Sequence, residues 1–85
     1  MNKYRTESGE TVHVGDHFRD RRKSNIRTLR VDSIETRQAG DDSYVVAHCV
    51  VVRQEYDGEV TTPMRSTSMD ADRLVSRAFV RAGMD

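Results

Sequence analysis

Residues 44–53 read YVVAHCVVVR and form the most apolar stretch of the chain. Valines dominate this stretch, and β-branched residues are typical of strands. Successive side chains of a strand point to opposite faces, so the stretch presents two faces: Val45, Ala47, Cys49 and Val51 on one, and Tyr44, Val46, His48, Val50 and Val52 on the other. Both faces are mostly apolar, so we expect both to be covered. In a protein this small, the pattern predicts a long strand bent between two halves of a small β-barrel.

A tight turn is predicted directly after this strand, at Asp57-Gly58. Asp-Gly is favoured in two-residue hairpin loops because a type I′ turn needs positive φ at both positions. The register that follows from this turn pairs Tyr56 with Glu59, Val51 with Met64, and Val46 with Met69. The returning strand contains Pro63, which cannot donate to a ladder, so we expect an edge strand or a bulge there. We expect both methionines to fill gaps in the core.

Upstream, Val12 and Val14 alternate with polar residues, which predicts a first strand. Gly15-Asp16 is expected to break this strand in a turn, and Phe18 follows as a core anchor. Residues 1–10 are polar and show no apolar period, so they are interpreted as a flexible N-terminal arm or a fraying first strand.

A second strand is predicted over residues 26–36. Leu29 and Val31 share one face, whereas Ile34 is out of phase with them, and a bulge or a bend between Val31 and Ile34 would restore the phase. The polar stretches on either side of this strand are interpreted as solvated loops: residues 19–25, RDRRKSN, and residues 37–43, RQAGDDS.

The C-terminal segment, residues 70–82, permits two structures. Asp70 could cap one helix with an apolar stripe that ends at Gly83. Alternatively, residues 71–74 form a single short turn, and residues 78–82 return as a closing strand. Periodicity alone favours the helix.

Length and composition exclude several classes of protein. The chain has 85 residues, which allows one domain, and we expect that domain over residues 11–85. No apolar run approaches the roughly 18 residues of a membrane span, and the first ten residues lack the apolar region of a secretory signal. Cys49 is the one cysteine, which excludes an intramolecular disulfide and fits a reducing cytoplasm.

The order of these signals resembles SH3-like small β-barrels, and more narrowly small uncharacterised SH3-like proteins of actinobacteria and their phages. The resemblance rests on three motifs: Val14-Gly15-Asp16, the Arg-rich loop from Arg19 to Lys23, and Asp72-Arg73-Leu74. It implies a barrel of about five strands and favours the short turn plus closing strand at the C-terminus. The family implies no catalytic residues.

The sequence offers little for metal binding or catalysis. A structural zinc site takes four nitrogen or sulfur ligands at short paired spacings, whereas His48 and Cys49 point to opposite faces of one strand. A thiol in an apolar strand is inert, because burial raises its pKa. No Gly-rich nucleotide loop accompanies the paired aspartates. We therefore expect no catalytic residue, no metal and no cofactor, and a protein that is not an enzyme.

A cluster of positive charge is the candidate site. Residues 1–30 carry eight basic and four acidic side chains, while the remainder carries six basic and ten acidic ones. The candidate binding residues are Arg19, Arg21, Arg22, Lys23, Arg27 and Arg30. Arginine is enriched at interface hot spots, which favours a binding module for an unidentified protein partner. The same cations could contact phosphates, which leaves nucleic-acid binding as the alternative, and no membrane partner is expected.

Overall fold

The computed structural model describes residues 1–83, and 63 % of them lie in strands, so the predicted mostly-β class is confirmed. The last two residues of the predicted 11–85 domain lie outside the described residues. The strands are β1 (Lys3–Arg5), β2 (Thr11–His13), β3 (His17–Asp20), β4 (Ile26–Ala39), β5 (Asp42–Tyr56), β6 (Glu59–Thr61), β7 (Arg65–Asp70) and β8 (Phe79–Ala82). A short 3₁₀ helix, Ala71–Val75, precedes β8. The described residues thus contain eight strands where about five are expected. Three of the eight, β1, β2 and β6, are only three residues long.

One antiparallel sheet in the order β6-β5-β4-β3-β8 carries most of the chain, and β7 pairs with β5 beside β6. The sheet curls into a half-barrel. β1 and β2 form a separate two-stranded ladder. Of the two interpretations of residues 1–10, the structure therefore contains the paired first strand, at Lys3–Arg5.

The β4–β5 hairpin runs along the whole length of the molecule. Its strands have 14 and 15 residues, and a rise of about 3.3 Å per residue accounts for the 45 Å long axis. The ladder shifts register at Thr28/Leu29 and again between Val31 and Ser33. The second shift is the predicted bulge, and it returns Ile34 to the buried face.

The loop predicted at residues 37–43 is wrong, because these residues continue the hairpin. Arg37 pairs with Tyr44 and Ala39 pairs with Asp42, which leaves only Gly40 and Asp41 in the turn. Both strands are exposed here, so no hydrophobic alternation marks them as strands. Cross-strand pairing extends the ladder where the composition alone indicates a loop.

The core lies on the inner face of the curled sheet, under the 3₁₀ helix. Its buried members come from six elements and from no single run of sequence: Val12, Phe18, Leu29, Val31, Ile34, Ala47, Cys49, Val51, Ala71, Leu74 and Phe79. One face of β5 is buried as predicted. The opposite face is only partly covered, since Val50 is half-buried and Tyr44 is exposed, so the expectation that both faces are covered is wrong. Val14 is also exposed instead of joining a strand face.

The Asp57-Gly58 turn is confirmed. Asp57 has φ 52° and Gly58 has φ 78°, and Tyr56 pairs with Glu59 as predicted. Further along, the returning chain bulges at residues 62–64, so Val51 pairs with Arg65 and Val46 with Asp70. The chain around Pro63 fits both expected alternatives, since β6 and β7 pair only with β5 among the described strands and the register shifts between them. The two methionine pairs are wrong by one residue.

That shift of one residue moves side chains to the other face. Met64 lies in the bulge and is 54 % exposed, so it does not fill the core. Met69 packs partly buried against the core.

The C-terminal segment is a short helix and a closing strand. The Asp70 carboxylate accepts a hydrogen bond from the Asp72 backbone N–H at 3.0 Å and caps the 3₁₀ helix. β8 then returns to pair with β3. The second of the two predicted structures is thus the one that forms. Within residues 1–83, no helix has the length and apolar character needed to cross a membrane.

Candidate functional site

The basic loop, residues 21–25, joins β3 to β4 and is anchored at both ends. The backbone N–H of Arg21 donates to the Ala78 carbonyl at 3.0 Å. At the other end, Asn25 has φ 54°, a left-handed conformation that asparagine tolerates better than most residues, and its side chain accepts a hydrogen bond from Gln54. The solvated loop predicted for residues 19–25 is shorter than expected, because Arg19 and Asp20 belong to β3.

Beside this loop lies an open depression of about 560 Å³. Five cationic side chains line it, and we call them the basic patch: Arg19, Arg21, Arg22, Lys23 and Arg53. The lining also contains two apolar residues, Ile26 and Val80, and two carboxylates, Asp20 and Glu55. Four of the six candidate binding residues are therefore brought together at one place.

Arg53 is a member of the patch that the sequence analysis missed. It lies on β5, more than twenty residues beyond the basic loop in sequence. The register joins them: Arg19 pairs with Thr28 across β3 and β4, and Thr28 pairs with Arg53 across β4 and β5. Directly paired residues point to the same face, so the two arginines flank Thr28. Only the register, shifted by the bulge beside it, could have revealed this neighbour.

Arg27 lies outside the patch and binds Asp20. Its Nε lies 2.8 Å from one carboxylate oxygen and its terminal nitrogen lies 3.1 Å from the other, while its backbone N–H donates to the same carboxylate at 2.9 Å. Asp20 is 4 % exposed. Burial alone would raise the pKa of Asp20, yet the hydrogen bonds from Arg27 outweigh it and lower that pKa.

Arg30 also has a carboxylate partner. Its guanidinium binds Asp32 at 2.7 Å and 3.2 Å, and these hydrogen bonds raise the pKa of Arg30 and lower that of Asp32. The pair is partly exposed. Arg30 lines a neighbouring depression together with Arg53 and His17, so it borders the patch without lining it.

The cations of the patch are less engaged. Arg22 approaches Asp20 only to 4.0 Å, and Arg53 lies 3.6 Å from Glu55. Within residues 1–83, Arg19, Arg21 and Lys23 form no ion pair. These side chains are free to meet an anionic ligand.

The other reactive residues are held apart from the patch. Cys49 is buried, and burial raises its pKa to about 11. The Nδ1 of His13 lies 3.7 Å from the Asp16 carboxylate. His48 lies between Glu35 and Ser68. Among residues 1–83, no three His, Cys, Asp or Glu side chains lie close enough together to hold a metal ion.

No protein-family model, curated protein or solved structure matches this chain.

Proposed function

We propose that the protein is a binding module that recognises an acidic segment of a protein partner through the basic patch. The observation that carries this proposal is the convergence of five cations on one open depression. Clusters of arginine are a recurring means of binding acidic or phosphorylated protein segments, because the planar guanidinium meets a carboxylate or phosphate in bidentate geometry.

The remaining lining favours a protein over a nucleic acid. Ile26 and Val80 offer apolar area between the cations, which suits an acidic segment that also carries aliphatic side chains. Among residues 1–83, no aromatic side chain lines the depression, and single-stranded nucleic acids are usually held by bases stacked on aromatic rings. Duplex binding needs only cations, so it stays the alternative that the experiment must decide.

In this proposal, the six candidate residues divide into three roles. Arg19, Arg21, Arg22 and Lys23 contact the partner together with Arg53. Arg27 supports the loop through Asp20 and keeps its guanidinium out of the interface. Arg30, paired with Asp32, contributes at the border at most a screened charge.

We also propose that the curled sheet is a variant of the SH3-like barrel, related to the small proteins of actinobacteria and their phages. Two features support this: the order β8-β3-β4-β5-β7 of the five strands concerned, and the 3₁₀ helix between β7 and β8. A cytoplasmic location fits the single buried thiol, which needs no oxidising compartment.

The test is a comparison of two anionic probes on the same protein. Fluorescence anisotropy would measure binding of a labelled short polyglutamate peptide with interspersed leucines, and of a short DNA duplex, at an ionic strength of about 0.15 M. We expect the peptide to bind and the duplex not to bind. The double variant Arg21→Glu, Arg22→Glu should lose the peptide.

A matched control reverses two exposed arginines that do not line the depression, Arg5→Glu and Arg73→Glu. It makes the same change in net charge, so it should keep most of the affinity if the patch is the site. Equal loss in both variants would show that overall charge causes the binding, and preferential binding of the duplex would favour the nucleic-acid alternative.

A further inference from the structure

Three polar side chains from three neighbouring strands meet on the outer face of the sheet, away from the basic patch. They are Glu35 on β4, His48 on β5 and Ser68 on β7. His48 and Ser68 are directly paired across the ladder, and the His48 Nδ1 lies 2.7 Å from the Ser68 Oγ. On the other side of the ring, Nε2 lies 2.7 Å from Glu35 Oε1.

The carboxylate fixes the direction of the hydrogen bond at Nε2, and the neutral form of the imidazole then fixes the direction of the one at Nδ1. The hydrogen bonds that Glu35 accepts from His48 and Arg37 hold its pKa below the ordinary value, so Glu35 is ionised near neutral pH. An ionised carboxylate only accepts, and the imidazole proton therefore lies on Nε2. In a neutral imidazole the second nitrogen is then an acceptor, so the Ser68 hydroxyl donates to Nδ1.

This order of hydroxyl, imidazole and carboxylate is the arrangement that activates a serine. The base lies within hydrogen-bond reach of the nucleophile, and the third group orients the base and stabilises its charged form. We propose that Ser68 is the nucleophile of an acyl-transfer centre, with His48 as general base and Glu35 as the positioning residue. This activity is separate from the proposed binding function, and it departs from the expectation that the chain has no catalytic residue.

The substrate class follows from the surroundings. Glu35 and His48 are partly exposed, with side-chain exposures of 46 % and 33 %, and Ser68 is exposed. An open sheet face offers no deep pocket for a long chain, so the centre suits small activated esters. β7 is paired only with β5 among the described strands, and in this proposal backbone N–H groups at its other edge, beside Ser68, serve as the oxyanion donors.

Each step of the reaction balances. The Ser68 Oγ attacks the ester carbonyl carbon while its proton passes to His48 Nδ1. The ester C–O bond then breaks, and the alcohol leaves with that proton. Water attacks the acyl-serine, its proton passes to Nδ1 and then to Ser68 Oγ as the carboxylic acid departs, and the enzyme is restored.

The experiment treats the full chain with a fluorophosphonate probe, which forms a bond to activated serines. Peptide mass mapping locates the label, and initial rates are measured for each variant, with circular dichroism to verify folding. We expect the label on Ser68. The His48→Gln variant should react about 100-fold more slowly, which is the lower range of general-base contributions.

Ser66 supplies the matched control, because it is an exposed serine on the same face of the same strand, two residues away. Hydrolysis of p-nitrophenyl acetate should be lost in Ser68→Ala and kept in Ser66→Ala. If His48→Gln does not fold, Glu35→Gln takes its place and should slow labelling by about 10-fold or more. Absence of label on Ser68, or labelling at an unchanged rate in the folded variant, overturns the proposal.

Discussion

Arg27 binds both carboxylate oxygens of Asp20 and thereby ties the end of β3 to the start of β4, across the loop that carries much of the basic patch. The carboxylate is buried, whereas the guanidinium is partly exposed. In the sequence, Asp20 looks like an interruption between basic residues. In the structure, its carboxylate accepts hydrogen bonds from the side chain and the backbone of Arg27 and so holds the two ends of the loop together.

Replacing Asp20 by Asn should destabilise the fold substantially. The substitution keeps the size of the side chain and removes its charge, which leaves the partly buried Arg27 without its counter-charge. We expect the free energy of unfolding to fall by about 3 kcal/mol, measured by urea denaturation. The control is Asp32→Asn at the more exposed Arg30 pair, where the loss should be much smaller because solvent screens the charges. Equal losses would mean that the Asp20 pair is no more important than a surface pair.

Acid should weaken the fold through the same carboxylate. Burial opposes ionisation of Asp20, but the Arg27 hydrogen bonds prevail and keep its pKa below the ordinary value of an aspartate. The unfolded chain therefore binds this proton at a higher pH than the folded chain does. The stability due to the pair is complete above the unfolded pKa and is lost as the pH falls through the folded pKa. Urea midpoints measured below about pH 4 should decline less steeply in Asp20→Asn.

Gly58→Val should destabilise the hairpin by roughly 1 kcal/mol or more, because a β-branched residue resists the left-handed backbone that position 58 adopts. Thermal unfolding measures the loss. Asp57→Asn, at the adjacent position with positive φ, serves as the control and should change stability little, since Asn tolerates this conformation. If Gly58→Val left the thermal stability unchanged, the left-handed turn at position 58 would be contradicted.

Cys49 should resist thiol reagents in the folded protein and react at once when the chain unfolds. Burial raises its pKa to about 11, so near pH 8 the reactive thiolate is scarce as well as inaccessible. Labelling by a coloured disulfide, with and without urea, tests this. Cys49→Ser should cost roughly 1–3 kcal/mol by burying a hydroxyl and leave patch binding unchanged. Rapid labelling of the native protein would show that β5 is exposed.

Salt should separate the two modes of binding at the basic patch. If all five cations neutralised duplex phosphates, log K would fall against log salt with a slope of about −4 to −5. For a protein partner, we expect one or two single Arg→Ala substitutions to account for most of the lost affinity. Anisotropy titrations over a salt series distinguish the two, with Arg73→Ala as the control. Duplex binding at physiological salt, abolished by reversing Arg21 and Arg22, would contradict the protein proposal.

Features specified by neighbouring residues could be predicted from the sequence. The Asp57-Gly58 turn, the bulge at Pro63 and the phase shift before Ile34 each depend on local backbone chemistry. They are all present. Features that depend on the pairing and register of strands distant in sequence could not be predicted. The chance of a bulge at Pro63 does not say how many residues the bulge adds. One extra residue there shifts every later pair, and a register counted without it pairs Met64 with Val51.

The candidate site shows the same division. The basic loop was visible as a run of cations, so four members of the patch were predicted. Arg53 could not be, because its proximity to Arg19 depends on two ladders and the register between them. Likewise, nothing in the sequence indicates that Glu35, His48 and Ser68 meet, since three different strands contribute them.

The outer end of the β4–β5 hairpin affects how the protein opens. Beyond Ile34 and Val46, residues 35–44 are all exposed and have no core beneath them. Their ladder packs on no buried apolar side chains, so its outer end can fray while the rest of the molecule stays folded. Amide hydrogens near Ala39 would then exchange through local opening, and those near Val31 only through global unfolding. Each strand of the hairpin is continuous, yet its outer end and the part that packs on the core unfold as two separate cooperative units.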